Sequence, residues 1–97
     1  MRGGKGAKRK GSVFEREVVN LAKSVGLKAY RVPLSGAVDN FEGDCFIAGR
    51  RIECKRRNKL PAFLEKNLKV GTDALILRGD GQRSLVVLRL EDWLKLL

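Results

Sequence analysis

There is no histidine anywhere in this 97-residue chain, and that absence removes imidazole acid–base catalysis, Ser-His and Cys-His nucleophile pairs and the usual zinc sites. Any catalysis must rest on carboxylates, lysine and metal. Cysteine is scarce too. Cys45 and Cys54 are too few for a disulfide framework and lack metal-ligand spacing, so both are expected to be small buried hydrophobes. No apolar run approaches the roughly 20 residues that span a bilayer, and the basic opening MRGGKGAKRK leads into GSVFEREVV rather than into a signal peptide's apolar stretch. The expectation is a soluble protein that uses no membrane and acts in the cytoplasm, at the nucleoid or as a viral protein in a host cell. Acid is in short supply as well: 11 Asp and Glu stand against 21 Lys and Arg, a formal net charge of +10. That imbalance calls for a polyanionic partner, and nucleic acid suits it better than an anionic membrane surface.

Ninety-seven residues make one domain, which buries only about 60 to 65% of the surface of its unfolded chain. Residues 1–11 hold Arg2, Lys5, Lys8, Arg9 and Lys10 among four glycines with no acid. They are expected to form a flexible basic arm, either solubilising or lying along phosphates; residues 12–97 are then the folded domain. From Ser12 the apolar residues Phe14, Val18, Leu21, Ala22 and Val25 fall at helical spacing, with Gly26 as the stop. Ser12 and Glu15 read as a capping box, S-x-x-E, and Glu15 and Glu17 flank the apolar stripe on opposite sides.

Further along, residues 28–32 form a short strand ended by Pro33, and residues 34–43 (LSGAVDNFEG) are a surface loop near a binding site. Residues 45–48 and 51–56 are strands joined around Gly49. Residues 62–69 form a helix after Pro61, residues 74–77 and 85–88 are strands separated by Gly79-Asp80-Gly81, and Leu90, Trp93, Leu94 and Leu97 repeat at helical spacing. The expected order is helix, three strands, helix, two strands, helix.

The chemistry concentrates in residues 42–57, EGDCFIAGRRIECKRR. Strict alternation puts Arg51, Glu53 and Lys55 on one face of a strand, with Ile52 and Cys54 on the other. An exposed Glu and Lys two apart are commonly just a solvated charge pair. If the hairpin closes with Ile47 opposite Ile52, however, Cys45 meets Cys54 and Asp44 lies opposite Lys55, diagonal to Glu53. Two carboxylates that close need a cation. A hard divalent ion such as Mg²⁺, with Mn²⁺ as a substitute, takes carboxylates and a backbone carbonyl, here that of Cys54. It can polarise a phosphodiester and activate a water, with Lys55 orienting that water or offsetting charge on the phosphorane. Arg50, Arg51, Arg56, Arg57 and Lys59 would hold the DNA backbone beside the acids.

Gly43-Asp44, eight residues, then Glu53-Cys54-Lys55 resembles the PD-(D/E)xK nuclease motif with Gly in place of Pro. With KGSVFERE opening the first helix, RVPLSG after the first strand, and IECKRR, the chain resembles the archaeal-type Holliday junction resolvases over roughly residues 10 to 57. The resemblance implies an α/β restriction-endonuclease-like domain with a central mixed five-stranded sheet flanked by helices. It further implies a Mg²⁺-dependent homodimer that nicks opposing strands of a four-way junction symmetrically, without a small-molecule cofactor. By position, it makes Glu15, Asp44 and Glu53 metal ligands, Lys55 the catalytic lysine, Ser35 the serine of a mobile catalytic loop and Arg16 a phosphate contact. Lys8, Arg9, Lys10 and Arg31 complete the expected DNA-binding cations. The alternatives are a nicking or repair nuclease on the same superfold, and a non-catalytic basic DNA-binding protein.

Overall fold

The computed structural model of the protein describes residues 5–32 and 45–97, with residues 5–10 described by their backbone alone. The expected order of elements is present: α1 (Lys5–Ser24), β1 (Ala29–Arg31), β2 (Cys45–Ile47), β3 (Arg50–Ile52), α2 (Ala62–Lys66), β4 (Leu75–Leu77), β5 (Leu85–Val87) and α3 (Leu90–Leu94). The strands form two antiparallel sheets, β1-β2-β3 and β4-β5. The described pairings thus distribute the five strands over a three-stranded and a two-stranded sheet. They do not include the single mixed sheet that was expected. Two compact units lie within the chain, Met1–Arg56 and Arg57–Leu97. Among the described residues no helix is long and apolar enough to cross a membrane.

In the first unit α1 begins at Lys5, well before Ser12, because Ala7, Lys8, Arg9 and Lys10 are good helix formers that outweigh Gly6 and Gly11. Ser12 therefore sits inside the helix and cannot be its N-cap. The buried stripe also differs from the expected one. Val18, Val19 and Ala22 are buried, whereas Leu21 and Val25 are exposed. Glu15, at i−3 from Val18 and i−4 from Val19, continues that inward stripe rather than flanking it.

The helix closes as expected at Gly26. Leu27 donates its N–H to the carbonyl of Ala22 (3.1 Å) and Gly26 to that of Lys23 (3.0 Å). With Gly26 at φ 88, this is a Schellman motif, which needs a left-handed residue at that point.

The central strand β2 carries the core of this unit, with Cys45 and Ile47 at 0% exposure. β1 pairs through Ala29↔Ile47, Tyr30↔Phe46 and Arg31↔Cys45, and the Ala48 N–H extends the ladder by donating to the Lys28 carbonyl at 2.8 Å. β2 and β3 pair through Cys45↔Ile52, Phe46↔Arg51 and Ile47↔Arg50. The expected register, Ile47 opposite Ile52 and Cys45 opposite Cys54, is thus replaced by one shifted two positions along β3. The cause is a two-residue turn: Ala48 (φ 50) and Gly49 (φ 80) both take positive φ, as a type I′ hairpin turn requires. A shift of two preserves the faces, so Cys45, Ile47, Ile52 and Cys54 remain together while Arg51 stays on the other side. β3 itself stops at Ile52 rather than running on to residue 56.

The second unit buries Leu68 and Leu94. Its β4-β5 hairpin pairs Ile76 with Val86, both exposed. Arg89 ties the loop after α2 to this unit, donating from Nη2 to the Leu68 carbonyl (2.6 Å) and to Glu65 Oε1 (3.1 Å).

Candidate active site

Glu15 reaches its place from α1 and is met there by Arg31 of β1. Arg31 donates from Nε (3.2 Å) and Nη2 (3.1 Å) to Glu15 Oε1, and from Nη2 to Ser12 Oγ (2.9 Å). Ser12 and Glu15 are three residues apart and so present adjacent side chains on one helix face, which lets a single guanidinium fork span both. The S-x-x-E pair is therefore a receptor for a strand-borne arginine rather than a capping box. Arg31, expected among the DNA-facing cations, directs these donors at α1. The Glu15 side chain is only 14% exposed and that of Arg31 36%, so this charge-assisted clasp is less screened than a surface pair.

Glu53 and Lys55 follow the end of β3 and pair with each other, Lys55 Nζ to Glu53 Oε2 at 3.3 Å, with side chains 52% and 64% exposed respectively. A pair this open contributes under about 1 kcal/mol to stability. Cys54, between Glu53 and Lys55, is placed by its neighbours. Arg31 and Cys45 are paired, so the face carrying Cys45 is the one turned to α1. Cys54 lies on that same side, its Sγ 3.9 Å from that of Cys45. Cys45 is a buried hydrophobe as expected, and Cys54 is half-buried.

The structure thus places Glu15 beside Arg31 between α1 and the sheet, and Glu53 beside Lys55 in the segment that follows β3. Asp44 and Ser35 lie outside the described residues, as do the loop 34–43 and the expected Asp44–Lys55 pairing. Among the described residues, no group of three or more Asp, Glu or Cys side chains comes together as a metal site. In donor type the proposed ligands do suit a hard divalent cation, being carboxylates and a carbonyl with no imidazole. Glu53 keeps its carboxylate half exposed to solvent.

Of the expected DNA-binding cations, Arg16, Arg50, Arg51, Arg56, Arg57 and Lys59 are exposed. Arg50 donates from Nη1 to the Ala48 carbonyl at 3.0 Å, across the hairpin turn. Arg51 lies over the Phe46 ring, 5.9 Å from its centroid. Lys8, Arg9 and Lys10 belong to α1. Two features had no sequence signal: Ser12 as an Arg31 acceptor, since the partners are 19 residues apart, and the stacking of Tyr30 on Phe46, with ring centroids 5.4 Å apart and planes at 16°.

No curated protein and no solved structure matches the chain. Residues 6–72 do match one protein family, the archaeal Holliday junction resolvases (Hjc). That span takes in α1 with Glu15 and Arg16, β1 with Arg31, and positions 35, 44, 53 and 55. A match over more than half of its length, through every element of the candidate site, makes the chain a member of the archaeal Holliday junction resolvase family.

Proposed function

We propose that this nuclease resolves four-way DNA junctions by paired symmetrical nicks, using Mg²⁺, or Mn²⁺ in its place, and working as a homodimer. The observation that carries the reading is the family match over residues 6–72, which makes the chain a junction-resolving nuclease acting on branched DNA. The metal, the symmetry of the nicks and the dimer are our extension. One chain holds one Glu53-Lys55 pair, and cutting two opposed strands together requires two sites related by a twofold axis. The family also implies a single mixed five-stranded sheet as the nuclease core. The expected place of action is the cytoplasm.

Asp44 and Glu53, with the Cys54 carbonyl, would hold the cation. When bound, it supplies Lewis-acid polarisation of the scissile phosphate and a more acidic water. Lys55, already 3.3 Å from Glu53, orients the attacking water and offsets charge on the phosphorane. Glu15 joins the set only when its carboxylate leaves the Arg31 clasp or is shared with it. Ser35 acts from the loop before Asp44, Arg16 contacts a phosphate, and the exposed Arg50, Arg51, Arg56, Arg57 and Lys59 hold the backbone. Lys8, Arg9 and Lys10 add a salt-dependent contribution to that grip.

The test uses labelled four-way junction, nicked duplex, plain duplex and single strand, each with Mg²⁺ and with chelator, beside Glu53→Gln. Selective, metal-dependent cutting of the junction is expected, with activity reduced at least about 100-fold in Glu53→Gln while junction binding persists. Equal cutting of plain duplex would sink the resolvase reading in favour of a repair or nicking nuclease. Binding without metal-dependent cleavage would leave a non-catalytic DNA-binding protein.

A further inference from the structure

The face of the β1-β2-β3 sheet turned away from α1 carries an ordered column of planar groups. Tyr30, Phe46 and Arg51 stand at directly paired positions on three neighbouring strands. The Tyr30 and Phe46 rings stack at 5.4 Å with planes 16° apart, and the Arg51 guanidinium lies over the Phe46 ring at 5.9 Å. Phe46 is thus covered on both sides, and the column ends at Tyr30. Among the described residues β1 is an edge strand of this sheet, so the second face of the Tyr30 ring is turned to that edge; Tyr30 is 49% exposed. Lys28, two residues before Tyr30, is exposed, and the Ala48 to Lys28 bond keeps it within the ladder, so alternation puts its side chain on the same face.

An open aromatic face beside an ammonium group, in a chain of net charge +10, matches a nucleotide: a flat base to continue the column and a phosphate for the lysine. Stacking of this kind needs a base freed from its neighbours, and a branch point offers one more readily than a continuous duplex. We propose that Tyr30 is the stacking platform for an unpaired nucleobase at the branch of the DNA substrate, with Lys28 on the adjoining phosphate. This rests on the junction-nuclease reading for where the unpaired base comes from. The stacked Phe46 and Arg51 hold the tyrosine ring upright, so that its orientation is set before DNA arrives.

The test is photocrosslinking of the full chain, in chelator, to four-way junctions carrying 5-iodouracil at the branch or in mid-arm, and to labelled oligothymidylate. Crosslinked peptides are identified by mass. Binding affinities of wild type, Tyr30→Leu and Tyr30→Trp for the same DNAs accompany it. Crosslinks at Tyr30 from the branch label and from oligothymidylate, but not from mid-arm, are expected. Tyr30→Leu should bind oligothymidylate about 5- to 100-fold more weakly, with Tyr30→Trp close to wild type. Crosslinks only elsewhere, together with unchanged affinity in Tyr30→Leu, would overturn the proposal; so would a Tyr30→Leu effect confined to self-association of the DNA-free protein. The wild-type crosslink decides the matter even if Tyr30→Leu folds poorly. A Tyr30 crosslink to single strand in a protein that shows no junction preference would uphold the platform while removing the resolvase reading.

Discussion

Replacing Arg31 with Met removes a fork that joins β1 to α1 by three hydrogen bonds, two to Glu15 Oε1 at 3.2 and 3.1 Å and one to Ser12 Oγ at 2.9 Å. Fully buried charge-assisted bonds would contribute about 1.5–3 kcal/mol each. Both carboxylate bonds end on one oxygen, and the Arg31 side chain is 36% exposed, so the pair is discounted to about 1–2 kcal/mol. The Ser12 bond adds about 0.5–1 kcal/mol. Arg31→Met should therefore destabilise the protein by about 2–3 kcal/mol, because it also leaves a carboxylate of 14% exposure without its cation. Arg31→Lys keeps the charge but not the planar fork and should lose roughly half of that. The assay is urea unfolding of wild type, Arg31→Met, Glu15→Gln and the double variant, with far-ultraviolet circular dichroism followed beside tryptophan emission. A coupling energy of about 1–2 kcal/mol between positions 15 and 31 is expected. A coupling below about 0.5 kcal/mol would mean that the two side chains are neighbours without a mutual interaction, and that the clasp does not hold α1 to β1.

Three further perturbations test separate parts of the structure. Ala48→Asn should stabilise the hairpin by about 0.5–1 kcal/mol, since Asn-Gly suits a turn in which both residues have positive φ; a shift of the urea midpoint to higher concentration at constant m-value checks it. Gly26→Ala should cost about 1–2 kcal/mol: nothing lies within 4 Å of a Cβ built there, so the cost is that of a φ of 88 and shows as a lower urea midpoint. Lys55→Ala should change stability by less than about 0.5 kcal/mol, its partner Glu53 being half exposed, yet lower the single-turnover rate of junction cleavage by at least about 100-fold.

What is legible in the amino-acid sequence depends on the range of the interaction involved. The order of elements, the Gly26 stop and the division of the hairpin into a Cys45-Ile47-Ile52-Cys54 face and an Arg51 face follow from local spacing. They survive in the structure because local spacing is what determines them. The hairpin register did not emerge, since a shift of two leaves the polar-apolar alternation unchanged. Ala48 also concealed the tight turn, because a non-glycine residue at positive φ is uncommon. The rotation of α1 that buries Val19 in place of Leu21 depends on where Glu15 finds its partner. That partner is 16 residues along the chain and on a different element, beyond what periodicity within one helix can register. In the same way, alternation separated Arg51, Glu53 and Lys55 from Ile52 and Cys54, but that α1 would cover the Cys45 face was a matter of tertiary packing.

The Schellman motif at Gly26 also bears on the order of folding. It leaves residues 25–28 as the whole connection between α1 and β1, and the Ala48-Gly49 turn leaves two residues between β2 and β3. Closing such short loops costs little chain entropy and proceeds on submicrosecond to microsecond timescales. The helix with its adjoining strand, and the β2-β3 hairpin, are therefore two local nuclei that can form separately. Their docking through the β1-β2 pairing must close the longer stretch between Arg31 and Cys45, which makes that pairing the slow, committing step. The Arg31 clasp, lying wholly inside the first nucleus, would already be in place in the transition state. Weakening it should slow folding more than it speeds unfolding.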